Sequence, residues 1–86
     1  MIRPPVDMRP CMPIERRKAA LIAGTASKYQ CTLTLEHDNI VLNLKSMIGL
    51  LSQSVPNDGR MDIVADGVDE RAATDALSRL LSGEGC

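Results

Sequence analysis

Two places in this 86-residue chain hold residue types whose spacing could support chemistry. The first is Ser46, in the run Asn43-Leu-Lys-Ser-Met-Ile-Gly-Leu-Leu51. It stands where an alternating, strand-like stretch gives way to Met47, Ile48, Leu50 and Leu51 at helical spacing. A serine at such a junction caps a helix by accepting a bond from its first free N–H groups. A phosphate on that serine would face the same donors and the positive end of the helix dipole. The functional reading is a regulatory phosphoserine followed by an apolar docking face of Met47, Ile48 and Leu51. The plain alternative is an ordinary capping serine on a core helix. The second place is Glu15-Arg16-Arg17-Lys18. Glu15 suits the start of a helix, but three cations beside it oppose the dipole. Local rules are often broken at functional sites. Here too there is a plainer reading, in which three long side chains reach into solvent.

Other chemistries find little support. His37 is the one histidine, and Cys11, Cys31 and Cys86 lack metal-ligand spacing, so neither a metal site nor a cofactor is expected. Tyr29 is the sole aromatic residue, which argues against direct nucleic-acid binding by base stacking. No apolar run reaches membrane-spanning length, and the first residues lack the apolar core of a signal peptide. A cytoplasmic protein with reduced thiols and no membrane contact is expected. The net charge of −1 is unevenly spread. Arg3, Arg9, Arg16, Arg17, Lys18 and Lys28 dominate the first 28 positions, while Asp58, Asp62, Asp66, Asp69, Glu70 and Asp75 stand out later. The basic front half points to an acidic or phosphorylated partner.

The elements that must position these residues follow from periodicity. Eighty-six residues make one domain, 1–86, with a modest aliphatic core. Residues 1–13 carry Pro4, Pro5, Pro10 and Pro13, so they are irregular or a weak edge strand anchored by Ile2, Val6 and Met8. Glu15 to Lys28 reads as a helix packed through Ala19, Ala20, Leu21, Ile22, Ala23 and Ala26, with Gly24 a weak spot. A strand over 30–36, a turn at His37-Asp38-Asn39 and a strand over 40–45 form a hairpin. A short helix over 47–53, a turn at Pro56-Asn57-Asp58-Gly59 and a strand through Met61, Ile63 and Ala65 come next. Asp69-Glu70 opens a last helix that buries Ala72, Ala73, Ala76, Leu77, Leu80 and Leu81. One-sided helices covering a hairpin sheet give an α+β open-faced sandwich of two layers.

Three stretches, Ala26-Ser-Lys-Tyr29, Leu42-Asn-Leu-Lys-Ser-Met-Ile-Gly49 and Asp66-Gly-Val-Asp-Glu70, resemble HPr, the small phosphocarrier of the bacterial phosphotransferase system. The similarity runs from about Ile14 to Leu81. It implies a four-stranded antiparallel sheet with three helices on one face. In that family a histidine before the first helix takes phosphate from enzyme I, within Gly-Ile/Leu-His-X-Arg-Pro-Ala. The corresponding stretch here is Pro13-Ile14-Glu15-Arg16-Arg17-Lys18-Ala19. Arg17 matches the phosphate-contacting arginine, Glu15 replaces the histidine, and Lys18 replaces the proline. Imidazole offers a neutral nucleophilic nitrogen near pH 7. A carboxylate would form a reactive mixed anhydride, and no metal site to assist it is evident. His37, placed at a turn away from the first helix, is not expected to substitute.

The resemblance therefore implies a non-enzymatic protein. Ser46 is the other functional position of the family, phosphorylated by HPr kinase in many Gram-positive members. A branch of catabolite-repression HPr-like proteins keeps that serine and lacks the histidine. The reading is a regulatory, non-relay role through Ser46. Arg16, Arg17, Met47, Ile48 and Leu51 form the partner-binding face. Its partner is an HPr kinase, a transcription regulator or an enzyme I-like protein. Two alternatives stand beside it: a phosphocarrier with an unusual acceptor at or near Glu15, and an interaction module that keeps only the fold. Glu15 either imitates a phosphohistidine with Arg17 as its partner or is a drifted residue at a favourable helix start. The weak first strand allows either a monomer or a strand-exchanged dimer.

Overall fold

The computed structural model describes residues 1–52 and 58–83. Its backbone forms β1 (Pro5–Asp7), a 3-10 turn (Arg9–Cys11), α1 (Arg16–Ala26), β2 (Thr32–His37), β3 (Ile40–Asn43), α2 (Met47–Ser52), β4 (Arg60–Asp66) and α3 (Glu70–Leu81). The strands build one antiparallel sheet in the order β1-β4-β2-β3. The expected alternation is visible in the burial. Leu33 and Leu35 of β2, Leu42 of β3, Met61, Ile63 and Ala65 of β4, and Val6 of β1 point to one face and are buried. Thr32, Asn43, Arg60 and Asp66 point the other way and stay exposed. Helix α3 packs on β4, and α1 packs on both α3 and α2.

The hairpin turns at Asp38, whose φ of 51° is the left-handed conformation that aspartate tolerates in tight turns. His37 belongs to β2 rather than to the turn. Of the expected Pro56-Asn57-Asp58-Gly59 turn, Pro56 and Asn57 lie outside the described residues, as does Gln53 of the short helix. At Gly59, φ is 68°, and an added Cβ would stand 2.8 Å from the Arg9 nitrogen.

The edge strand forms despite its prolines because the required bonds avoid their missing donors. The Pro4 carbonyl accepts from Ile63 N–H, and Ile2 exchanges both backbone bonds with Ala65. Val6 and Met8 are buried, as an anchored strand requires, while Ile2 packs half-buried against the core.

The packing stripes differ from the sequence expectation at four positions. In α1 the buried set is Ala19, Ile22, Ala23 and Ala26, spaced i, i+3, i+4, i+7. Ala20 and Leu21 fall beside that stripe and face solvent, so Leu21 is no core residue. In α3, Ala72 is exposed and Thr74 is buried, because the stripe through Ala73, Leu77, Leu80 and Leu81 takes in Thr74 instead. The Thr74 hydroxyl is satisfied by the Arg71 carbonyl at 3.0 Å, so its burial leaves no orphan donor.

Two contacts tie α3 to the start of β2. Asp69 precedes α3, yet its carboxylate does not cap that helix. It accepts N–H bonds from Gln30 at 2.8 Å and Cys31 at 2.9 Å. Those bonds, led by Gln30, hold its pKa below the ordinary aspartate value. Gly67 allows the close approach: at φ 154° its ideal Cβ would lie 2.6 Å from both Cα and Cβ of Cys31. Cys31 is a free buried thiol whose pKa is raised, chiefly by burial. Cys11, also buried, is disulfide-bonded, which corrects the expectation of reduced thiols throughout.

Candidate functional site

The site around Ser46 is assembled by the end of β3 and the start of α2. Asn43 turns the chain: its side-chain oxygen accepts from Lys45 N–H at 2.9 Å, and its carbonyl accepts from Ser46 N–H at 3.1 Å. Ser46 Oγ then accepts from Gly49 N–H at 3.1 Å. This is the bond from a capping position to the third helical residue that the sequence predicts. Lys45 is drawn off, since its Nζ donates to the Tyr29 carbonyl at 2.8 Å.

Beyond the cap, α2 divides its side chains. Leu50 is buried, and Met47 is half-buried against the core. Ile48 is 80% exposed and Leu51 44% exposed. On neighbouring α1, Leu21 is also 44% exposed. The predicted docking trio is therefore uneven: Ile48 and Leu51 face outward, while Met47 partly serves the interior. Leu21 joins the exposed apolar residues although the sequence placed it inside. The signal that could have found it is the spacing, since Arg17, Leu21 and Gly24 share the exposed side of α1.

At the start of α1, Glu15 has an extended backbone and occupies the capping position, but its side chain makes no cap bond. Glu15, Arg16 and Arg17 are all exposed. Among the described residues no ion pair joins Glu15 to Arg17. Lys18 departs from the picture of three solvated cations. Its Nζ turns back and donates to the Cys11 carbonyl at 3.0 Å. No sequence pattern marks that contact, because it runs from the first turn of α1 back across the irregular backbone that precedes it.

The ionic contacts elsewhere are short-range or exposed. Asp7 binds the Arg9 guanidinium at 2.7 Å and also accepts from its backbone N–H, which lowers the Asp7 pKa. Glu70 is lowered chiefly by Gly67 N–H. His37 lies at the end of β2, with Nε2 3.5 Å from the Asp38 carboxylate. Because β1 and β2 both run antiparallel to β4, His37 shares the sheet end at which the chain leaves β1 for α1. It lines a surface groove there with Pro5, Asp7 and Arg60. The expectation that the hairpin carries it away from the first helix is thus too simple. Among the described residues, however, no hydrogen bond or ion pair links His37 to Glu15. Among the described residues there is also no group of three metal-ligating side chains. No helix there is long and apolar enough to cross a membrane.

The open-faced sandwich thus presents Ser46, as the cap of α2, beside the outward-facing Ile48 and Leu51. The family model described as the PTS HPr component phosphorylation site matches residues 13–83, and the chain belongs to the HPr family. Proteins of this family are phosphocarriers, not enzymes. A Thermoanaerobacter tengcongensis protein, HPr-C-His, is 31% identical, with 100% of this chain and 98% of that one covered and a TM-score of 0.84. The catabolite repression protein Crh of Bacillus subtilis is also 31% identical. There the match covers 83% of this chain and 82% of that one at a TM-score of 0.77. Its crystal structure shows a swapping domain in an intertwined dimer. An HPr dimer from Thermoanaerobacter tengcongensis is 35% identical over 84% of this chain and 82% of that one, with a TM-score of 0.71. These similarities bear out the four-stranded antiparallel sheet with three helices and a role related to the phosphotransferase system.

Proposed function

We propose that this HPr-family protein acts as a regulatory docking protein in the cytoplasm, switched at Ser46, rather than as a link in a phosphoryl relay. The observation that carries the reading is the capped Ser46 next to 80%-exposed Ile48 and 44%-exposed Leu51. A phosphoryl group there adds nearly two negative charges and three acceptor oxygens. The Gly49 N–H that now binds Oγ can bind a phosphate oxygen instead. The partner then meets one new anion beside an apolar surface, with Arg16 and Arg17 exposed on the neighbouring helix. Apolar burial supplies affinity, and the phosphate makes it conditional.

The relay is disfavoured by chemistry at Glu15. A solvent-exposed carboxylate offers no neutral nucleophile for taking and returning phosphate. The similarity to Crh, a catabolite repression protein, supports a place in that process; an HPr kinase as modifier and a transcription regulator as reader are the partners that the family resemblance suggests. Incubation with HPr kinase and ATP, followed by intact-mass measurement, tests the switch. The wild-type protein is expected to gain one phosphoryl group and Ser46→Ala none. Equal labelling of both would remove Ser46 from the mechanism.

A second reading concerns self-association. The dimeric Crh and HPr structures support exchange of β1 between two copies. This edge strand is three residues long and pairs only with β4. It can be replaced by the same strand of another copy without changing a sheet contact. Light scattering during size exclusion tests for that dimer.

A further inference from the structure

The segment joining β1 to α1 is folded back on itself and held at both ends. At its start, Met8 N–H donates to the Gly59 carbonyl at 2.8 Å, and the Met8 side chain is fully buried. Within it, Cys11 N–H bonds the Met8 carbonyl at 2.8 Å, and Met12 N–H bonds the Arg9 carbonyl at 3.2 Å. From the far side, Lys18 Nζ reaches back out of α1 to the Cys11 carbonyl at 3.0 Å. Lys18 is half-buried, unlike Arg16 and Arg17 beside it.

In an exchanged dimer, β1 keeps its contacts, because the second copy supplies an identical β4. What changes is this connection, which must straighten to cross between copies. The monomer–dimer balance is therefore set by bonds that exist only while the connection is folded. We propose that Lys18 is a strap that holds the β1–α1 connection closed and so keeps β1 in its own sheet. This rests on the exchange reading above. Lys18 is a positioning residue here, since it acts on β1 through the Cys11 carbonyl. Its charge sharpens the bond relative to a neutral donor, while its partial exposure moderates it.

The test compares Lys18→Met, which keeps chain length but removes the donor, with Lys18→Arg, which keeps a cation. Samples are matched for the state of the Cys11 disulfide by intact mass. One net hydrogen bond corresponds to about a fivefold change in an opening equilibrium. Amide hydrogen exchange at Cys11 and Met12 is therefore expected to speed up about fivefold in Lys18→Met. Each dimer opens two connections, so the dimerisation constant from light scattering is expected to rise about 25-fold. Lys18→Arg should stay near wild type in both. Unchanged amide exchange in Lys18→Met overturns the strap, whatever the oligomeric state. Faster amide exchange with no dimer at any concentration overturns the link to β1 exchange and leaves only a local loop contact.

Discussion

Ser46 caps α2 in this structure, and on the proposed reading it also takes up phosphate; substitution separates the two duties. Ser46→Ala removes the 3.1 Å bond to Gly49 N–H and leaves the first turn of α2 without that acceptor. Loss of such a cap costs about 1 kcal/mol. Unfolding entropy of roughly 2.1 cal/mol/K per residue gives ~180 cal/mol/K for 86 residues. The expected fall in melting temperature is then about 6 °C. Ser46→Asp restores an acceptor at the same position, and aspartate caps about as well as serine. It also adds a negative charge where the helix dipole favours one. Its melting temperature should therefore lie close to wild type, although its charge differs more than that of the alanine variant. Calorimetry or circular dichroism on all three proteins in one buffer gives the answer. A Ser46→Ala protein that melts with wild type would refute the cap. So would a Ser46→Asp protein that loses as much as the alanine variant.

Gly67→Ala should be among the costliest single-methyl additions, by about 2 kcal/mol or more, because the new Cβ meets Cys31 backbone at 2.6 Å and φ is 154°; urea unfolding measures it. Ile48→Ser should move stability by less than about 0.5 kcal/mol, since the residue is 80% exposed, yet weaken capture of the phosphorylated protein by its reader; isothermal titration separates the two effects. The pKa of Asp69 is lowered on folding, so its contribution is present above the unfolded value and lost as pH falls through the folded one. Acid titrations of stability should therefore be shallower for Asp69→Asn than for wild type, with the variant already less stable at neutral pH.

Much of the fold was legible because its signals are local. Period-two alternation marked the inner faces of β2 and β4, and the capping serine marked the start of α2. Leu21 shows where that reasoning fails. A leucine in a small-residue helix looks like its main packing group, but α1 lies close to its neighbours through alanines, and the stripe of 19, 22, 23 and 26 leaves Leu21 outside. Thr74 shows the converse: a hydroxyl bonded back to its own helix can be buried at little cost. At the site, Ser46 was readable from sequence, whereas the division of Met47 from Ile48 and Leu51 depends on how α2 sits over the core. The Lys18 contact and the Asp69 link join residues far apart in the chain or across irregular backbone, where no periodicity operates.

On the proposed reading, phosphate enters this protein at a hydroxyl and does not pass through it to a sugar-specific acceptor. This is tested most directly by offering both donors in parallel: HPr kinase with labelled ATP, and enzyme I with labelled phosphoenolpyruvate. The prediction is acid-stable label at Ser46 from the first and none from the second. Label from phosphoenolpyruvate that is acid- or hydroxylamine-labile, and that moves on to a sugar-specific acceptor, would contradict it.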